Sequence, residues 1–249
     1  MTLFTIDIVL RLPGSLREVA LSDSARLVER MRKQGHLSTF QLGYPRVADP
    51  HGGICEPHVS LFMLAVEEAE IAPVLAALNG LTATVSAVQA VAQEWRHNPQ
   101  GAPELHFQPS PQWNALQQAV LGATEPLRRR RLRDTDPAGA NLVDVVYRLQ
   151  QEDPDGQQLR QLLCYGYDEI TDDAAARFHP HVTVAWPVDG FPISLDGLTA
   201  SSWSGLLTEL AVYGMTPNGT CTTLFGSVSL RSDPNPNQNP NLSQPVPLR

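Results

Sequence analysis

Cysteine, lysine and long apolar segments are all scarce in this sequence. The three cysteines (Cys55, Cys164 and Cys221) are an odd number without metal-ligand spacing, which predicts free thiols in a reducing compartment. No apolar run approaches the length of a membrane span, and the charged residues within 5–11 make that segment a poor secretory signal. These absences favour a cytoplasmic protein that does not associate with a membrane.

Positive charge is also in short supply. The chain has 18 lysine and arginine residues against 26 aspartate and glutamate residues, and its net charge of -8 argues against binding to duplex DNA or broad binding to nucleic acid. The local exception is the arginine run at 128–131, followed by Arg133. For this run we favour a solvated helix face or helix end over a phosphate-binding patch.

The predicted elements mix strands and helices. A chain of 249 residues can bury a sizeable core, either as one large domain or as two lobes. Alternating or β-rich runs predict strands, and apolar residues at helical spacing predict helices. The predicted strands are 5–11, 36–42, a segment that starts at 58, 81–94, 104–108, 178–187, 206–215 and 221–230. Helices are predicted after Ser22, Pro73 and Pro111 and around 159–163, whereas residues 143–149 fit either a strand or a helix.

Turn chemistry and composition mark the boundaries between these elements. The Asn-Pro-Gln-Gly sequence at 98–101 and the Pro-Asn-Gly sequence at 217–219 predict turns, the second of them a strong hairpin signal. Residues 231–249 contain Pro-Asn repeats and lack the apolar content to pack, so they predict a disordered tail.

One short phrase occurs twice in a strand context. Residues 58–61 read His-Val-Ser-Leu, and residues 181–184 read His-Val-Thr-Val. Because side chains alternate along a strand, each histidine shares a face with the hydroxyl residue two positions later, Ser60 or Thr183. Two such strands facing each other would place two imidazoles and two hydroxyls in one cleft. That arrangement suits acid–base chemistry on a phosphate.

Each copy of the phrase precedes the same order of elements. A connecting segment, a longer strand, a turn rich in Asn, Pro and Gly, and a shorter strand follow in both cases. Such self-similarity indicates a duplicated unit, and a pseudo-twofold axis would bring the motif strands together. We therefore predict a single bilobal domain over residues 1–230. Its first motif lobe would span about 36–110 and its second about 178–230, with helical segments between them.

The two motifs, the second preceded by Phe-His-Pro at 178–180, resemble those of the 2H phosphoesterase superfamily. That superfamily includes the bacterial RNA 2′,3′-cyclic phosphodiesterases also called 2′-5′ RNA ligases. The resemblance implies an α+β fold of two pseudo-symmetric lobes, with antiparallel sheet and helices around a central cleft. It further implies that His58 and His181 are catalytic, that Ser60 and Thr183 bind the phosphate, and that no metal or other cofactor is needed. The expected protein is a monomer that acts on a small nucleotide or an RNA 3′-end.

The chemistry of imidazole supports this interpretation. A neutral histidine can take a proton from water while a protonated partner gives one to the leaving sugar oxygen. The two hydroxyls would then donate to the non-bridging phosphate oxygens. A nucleophilic serine is disfavoured, because residues two apart in a strand are separated by about 6.6 Å, too far for His58 to activate Ser60 directly.

Two other classes of function compete with this one. The cleft could bind a nucleotide or RNA end without turnover. Alternatively, His179 and His181 could ligate a metal together with His58 or His51, but no carboxylate or cysteine falls at partner spacing.

The remaining histidines and two aromatic residues fit structural roles. His36, His97 and His106 suit surface or packing positions. In a regular strand Phe62 would lie on the same face as His58, so it either stacks on a base or packs in the core. Trp186 has the opposite parity to His181 and is expected in the core.

Overall fold

The computed structural model describes residues 3–46, 53–129, 142–167 and 178–232, which form an α+β fold of antiparallel sheets and helices, as predicted. Its strands are β1 (Leu3–Arg11), β2 (Ser38–Gln41), β3 (His58–Glu67), β4 (Val88–Ala90), β5 (Ala92–His97), β6 (Pro103–Phe107), β7 (His181–Thr183), β8 (Ala185–Pro187), β9 (Gly205–Leu207), β10 (Glu209–Thr216) and β11 (Thr220–Ser229). Its helices are α1 (Gly14–Lys33), α2 (Ile71–Leu81), α3 (Pro111–Thr124), α4 (Leu142–Glu152) and α5 (Gln157–Tyr165).

The two motif strands lie in different sheets. Sheet one has the strand order β11-β10-β1-β3, and sheet two has the order β5-β6-β7. All pairings within both sheets are antiparallel. The motif strands β3 and β7 are therefore edge strands of their sheets, and they pack close to each other.

Each motif strand shares a sheet with the hairpin that follows the other motif. The β10–β11 hairpin comes after the second motif, yet it pairs with β1 and so joins the sheet of β3. The β5–β6 hairpin comes after the first motif, yet it pairs with β7. The predicted lobe ranges of 36–110 and 178–230 therefore do not match the sheets. The order of elements along the chain does not reveal this exchange, because strand partners are chosen by tertiary packing.

Both predicted turns are present, and each joins two antiparallel strands. In the β5–β6 turn, the Asn98 side chain accepts hydrogen bonds from the backbone of Gln100 and Ala102, and Gly101 has a φ of 75°. In the β10–β11 turn, Asn218 and Gly219 have φ values of 63° and 67°. Asparagine and glycine tolerate this left-handed conformation, which a tight hairpin requires.

Helices cover the outer face of sheet one. On β1 the side chains of Ile6, Ile8 and Leu10 are fully buried in the main core. Helix α2 packs on β11 and helix α3 packs on β3, whereas α1 packs against β2 and β8. The opposite face of β1 carries Asp7 and Val9, which are also fully buried.

A bulge in β3 decides the position of Phe62. In the pairing of β1 with β3, Ile8 lies opposite Phe62 but Val9 lies opposite Ser60, so Leu61 is an extra residue. A bulge of this kind shifts the alternation of faces. Phe62 is therefore buried in the core, with its ring edge-on to Tyr165, and the base-stacking alternative is wrong.

Several smaller expectations are settled by the described residues. Residues 143–149 belong to helix α4, and Trp186 is buried as predicted. The stretch 81–94 is not one strand, because α2 runs to Leu81 and β4 begins only at Val88. The predicted tail falls almost entirely in 233–249, outside the described residues. Within the described parts of the chain, no helix combines the length and apolar character needed to cross a membrane.

The described part of the arginine run is engaged in ion pairs. Arg128 bonds to Glu125 and to the carbonyl of Cys164, and its guanidinium lies 5.3 Å from the centre of the Tyr165 ring. Arg129 forms a salt bridge with Glu70. These contacts agree with a structural role for both residues. Residues 130–133 lie outside the described ranges.

Candidate active site

The first half-site consists of Asp7, His58 and Ser60. Asp7 is fully buried on β1, and the imidazole of His58 is only 13% exposed. The Ser60 hydroxyl donates to Asp7 Oδ2 at 2.6 Å, and His58 Nε2 lies 3.8 Å from the same oxygen. The thiol of Cys221, from β11, lies 3.6 Å from His58 Nε2.

The second half-site consists of Glu104, His181 and Thr183. Glu104 is buried on β6, directly across the strand pair from Thr183. The Thr183 hydroxyl donates to Glu104 Oε1 at 3.4 Å, and His181 Nε2 lies 3.8 Å from that oxygen. His106 lies opposite His181, bonds to Glu104 Oε2 at 3.2 Å and stacks on the His181 ring at 5.3 Å.

Both motif histidines present the same nitrogen to the site. His58 Nδ1 lies 2.7 Å from the Glu56 carbonyl oxygen, and His181 Nδ1 lies 2.7 Å from the His179 carbonyl oxygen. A carbonyl oxygen only accepts hydrogen bonds, so Nδ1 carries the proton in each ring. Nε2 is then the atom that holds the lone pair in the neutral form. In each half-site Nε2 lies 3.8 Å from an oxygen of the buried carboxylate.

Burial and charge set the ionisation of His58. Burial lowers the pKa of His58, the Glu56 carbonyl opposes that effect, and a positive charge on His181 lowers the pKa further. The two imidazoles are thus close enough for the charge of one to disfavour protonation of the other. This environment favours neutral His58 near neutral pH.

Glu104 stays ionised despite its burial. Burial by itself would raise the pKa of Glu104, but the charge of His181 and hydrogen bonds from His106 and Asn98 lower it overall. The Asn98 amide donates to Glu104 Oε1 at 2.9 Å. The second half-site is therefore an ionised carboxylate surrounded by donors.

Three residues in or beside these half-sites were not predicted as site residues from the sequence. Asp7 and Glu104 were missed, although Asp7 interrupts the apolar run Ile6-Asp7-Ile8, and a charge in the middle of a buried strand is a signal in itself. His106 was placed in a surface or packing role, but it lies beside His181. The other two histidines of that prediction contact residues outside the half-sites: His36 bonds to Asp189, and His97 bonds to the Ile193 carbonyl.

The predicted role of the two hydroxyls, donation to a phosphate, competes with contacts inside the protein. Both Ser60 and Thr183 donate to a buried carboxylate in this structure. A hydroxyl has one proton, so either side chain must turn away from its carboxylate before it can donate to a phosphate oxygen.

The predicted histidine metal site is not formed by the described residues. Among them, one group of three side chains brings potential ligand atoms within 4.8 Å of one another, and it consists of Asp7, His58 and Cys221. His179 is exposed and meets His181 through its backbone carbonyl. His51 lies outside the described residues.

Comparison with known proteins shows a similar fold in solved structures. The chain matches E. coli LigT complexed with 3′-AMP at 14% identity and a TM-score of 0.51, covering 93% of this chain and 100% of that one. It matches LigT complexed with phosphate and LigT complexed with ATP at 13% identity and a TM-score of 0.50, with the same coverage in both cases. At 13–14% identity these matches show a shared fold, which is the fold that the resemblance to the 2H phosphoesterase superfamily implies. No protein-family model and no curated protein sequence matches the chain.

Proposed function

We propose that this protein is a metal-independent phosphodiesterase that hydrolyses a cyclic phosphodiester of the 2′,3′ type on a nucleotide or RNA end. One observation carries the proposal. Two strands from different sheets each present an imidazole Nε2 and a hydroxyl beside a buried carboxylate of the neighbouring strand, and the two imidazoles interact electrostatically. Two imidazoles placed in this way can transfer protons in one concerted step on either side of one phosphorus atom.

His58 is the proposed base in the hydrolytic direction. Its lowered pKa favours the neutral imidazole, whose Nε2 takes a proton from the attacking water. As the water oxygen bonds to phosphorus, the bond from phosphorus to one sugar oxygen breaks. His181 Nε2 gives its proton to that leaving oxygen, so a neutral His58 and a charged His181 exchange protonation states in one turnover. The 3.8 Å separation of His181 Nε2 from ionised Glu104 favours the charged form at the start.

Ser60 and Thr183 are the proposed donors to the non-bridging phosphate oxygens. Charge on those oxygens grows during attack, and a fixed donor stabilises it most effectively inside a site that excludes water. When substrate binds, each hydroxyl turns from its carboxylate to the phosphate. The carboxylates keep the hydroxyls within the site until then, which is the role proposed for Asp7 and Glu104.

The ligands of the similar structures are consistent with such a substrate. LigT has been crystallised with 3′-AMP, with phosphate and with ATP. A nucleotide carrying a phosphate at a ribose hydroxyl is the kind of product that the proposed reaction would release.

The decisive experiment measures turnover of 2′,3′-cyclic nucleotides by the purified protein in the presence of EDTA. A panel of RNA ends with cyclic phosphates and of other phosphodiesters identifies the preferred substrate class. His36→Ala is a suitable control variant, because His36 bonds to Asp189 and stacks on Phe191, residues outside both half-sites. Turnover that persists in the double variant His58→Ala, His181→Ala would contradict the proposal. Tight binding of a nucleotide without turnover by the unaltered protein would replace it with a binding function.

A further inference from the structure

We propose that Asp7, His58 and Cys221 form a zinc site whose occupancy blocks the acid–base pair. The existence of the site stands on geometry alone, whereas the blocking effect rests on the proposed function. The three ligand atoms come from three strands, β1, β3 and β11.

The spacing of the three atoms matches a metal centre. His58 Nε2 lies 3.6 Å from Cys221 Sγ and 3.8 Å from Asp7 Oδ2, and Cys221 Sγ lies 3.8 Å from Asp7 Oδ2. The nearest point equidistant from the corners of this triangle is about 2.2 Å from each atom, between the usual Zn–N distance of about 2.0–2.1 Å and the usual Zn–S distance of about 2.3 Å. The atoms need almost no rearrangement to coordinate one ion.

The donor set selects zinc over the abundant hard cations. A thiolate and an imidazole are soft and borderline ligands that suit Zn²⁺, whereas Mg²⁺ and Ca²⁺ require oxygen ligands. Three protein ligands leave one corner of a tetrahedron for water. Binding releases the thiol proton of Cys221, since zinc is held by the thiolate. Without a metal, burial and the neighbouring Asp7 charge hold the pKa of Cys221 well above its usual range, so the thiol is neutral.

The surroundings orient each ligand as they would in a metalloprotein. Ligating histidines generally donate their second ring N–H to a carbonyl or carboxylate, and His58 Nδ1 donates to the Glu56 carbonyl. The Asp7 carboxylate accepts a hydrogen bond from Ser60 at 2.6 Å. The backbone of Glu56 donates to the Cys221 carbonyl at 2.9 Å, which ties β11 to the residues just before the motif.

Zinc and catalysis would compete for a single atom. The proposed base acts through His58 Nε2, and the same nitrogen is the proposed zinc ligand. A metal ion on Nε2 removes the lone pair that accepts the water proton. Zinc binding and turnover are then mutually exclusive, and the free zinc concentration sets the active fraction.

Co²⁺ is the probe for the site, because it replaces zinc in tetrahedral thiolate sites and gives a thiolate-to-cobalt charge-transfer absorption band. Protein stripped with a chelator should bind one Co²⁺ with this band, and Zn²⁺ should abolish it. Cys221→Ser should lose the band and bind Zn²⁺ at least about a hundredfold more weakly, more than the loss typical of an outer-shell change. Cys164→Ser, at an exposed thiol, is the matched control that should keep the band. Asp7→Asn, which should weaken Zn²⁺ binding, provides a second variant if Cys221→Ser does not fold.

Three results would overturn the site: no charge-transfer band, a band that persists in Cys221→Ser, or a band that is lost in Cys164→Ser. The blocking effect has its own test on a cyclic phosphate. Zinc at a hundredfold excess over its Kd should lower the rate about a hundredfold. EDTA should restore that rate, and the same concentration of Mg²⁺ should leave it unchanged. Full turnover by zinc-loaded protein would contradict the blocking effect. Absence of turnover by metal-free protein would contradict the proposed function and leave the cobalt result standing.

Discussion

The half-site around His58 and the half-site around His181 contain the same groups in the same contacts, but their strands supply the carboxylate differently. Glu104 lies directly across the strand pair from Thr183. The residue across from Ser60 is Val9, and Asp7 reaches the Ser60 hydroxyl from two positions farther along β1. The contact of carboxylate, hydroxyl and imidazole is therefore shared without residue-by-residue symmetry. The arrangement itself, rather than a copied sequence, is what the two halves have in common.

The difference in register gives the two imidazoles different environments. Across the strand pair from the motif hydroxyl, the first half-site has the apolar Val9 and the second has Glu104. Val9 packs in a small buried cluster with Ala211, Tyr213 and Cys221. The second half-site adds the donors His106 and Asn98. Burial lowers the pKa of His58 and favours a neutral base, whereas Glu104, whose pKa is lowered despite its burial, favours a charged His181 as the acid. The asymmetry thus supports the assignment of His58 as base and His181 as acid.

Removal of either histidine should have the largest effect on turnover. His58→Ala and His181→Ala should each lower kcat by about 10²- to 10⁴-fold, the usual contribution of general acid–base catalysis. Because the two act in one concerted step, the double variant should be little worse than the worse single variant. The measurement is kcat on one cyclic phosphate for all three variants. Losses that multiply in the double variant would mean that the two half-sites act independently.

Removal of the hydroxyls should have the next largest effect. Ser60→Ala and Thr183→Ala should fold and lose about ten- to a thousandfold in kcat, through lost stabilisation of phosphate charge. Thr183 lies 3.4 Å from its carboxylate and Ser60 lies 2.6 Å from its own, so Thr183 gives up the weaker bond on turning to the phosphate. We therefore expect the larger loss for Thr183→Ala. Thr84→Ala, at an exposed hydroxyl, is the control. Full turnover in either site variant would exclude its hydroxyl as a phosphate donor.

The pH dependence of turnover should show whether the two imidazoles are electrostatically coupled. The rate should be bell-shaped, and its acid limb should reflect His58, whose pKa is lowered below 6.5 chiefly by burial. The limb should therefore lie on the acid side of pH 6.5. The His181 charge also lowers that pKa, so in His181→Ala the acid limb of the residual activity should move to higher pH. A limb that stays in place would mean that the two imidazoles are not coupled.

The smallest expected effect is on the acid stability of the second half-site. The folded-state pKa of Glu104 is lowered from 4.5, so its ionisation stabilises the fold above pH 4.5, and that contribution is lost as pH falls through the folded pKa. Glu104→Gln should therefore flatten the dependence of the free energy of unfolding on pH in this acid range. Denaturant unfolding at a series of pH values measures it, and Glu68→Gln, at an exposed site, is the control. An unchanged slope in Glu104→Gln would contradict the ionised state of Glu104.

The sequence by itself predicted the chemistry-bearing strands and most of the local structure. Two copies of histidine and hydroxyl at strand spacing were sufficient to propose His58, Ser60, His181 and Thr183 as site residues, because side-chain alternation is a local property of the backbone. The hairpin turns at 98–101 and 217–219 were found for the same reason, since their conformations depend on the glycine and asparagine within them. The α+β class followed from the periodicity of short segments.

Tertiary structure decided which strands are neighbours and hence which groups complete the half-sites. Asp7 lies 53 residues from Ser60 along the chain, and Glu104 lies 79 residues from Thr183, so no local pattern links them. The exchange of hairpins between the sheets and the bulge at Leu61, which buries Phe62, also depend on long-range strand pairing. Strand pairing is selected by packing over the whole core, whereas alternation within one strand is fixed by its own backbone. The motifs were therefore readable in the sequence, and their carboxylates and their thiol neighbour Cys221 were not.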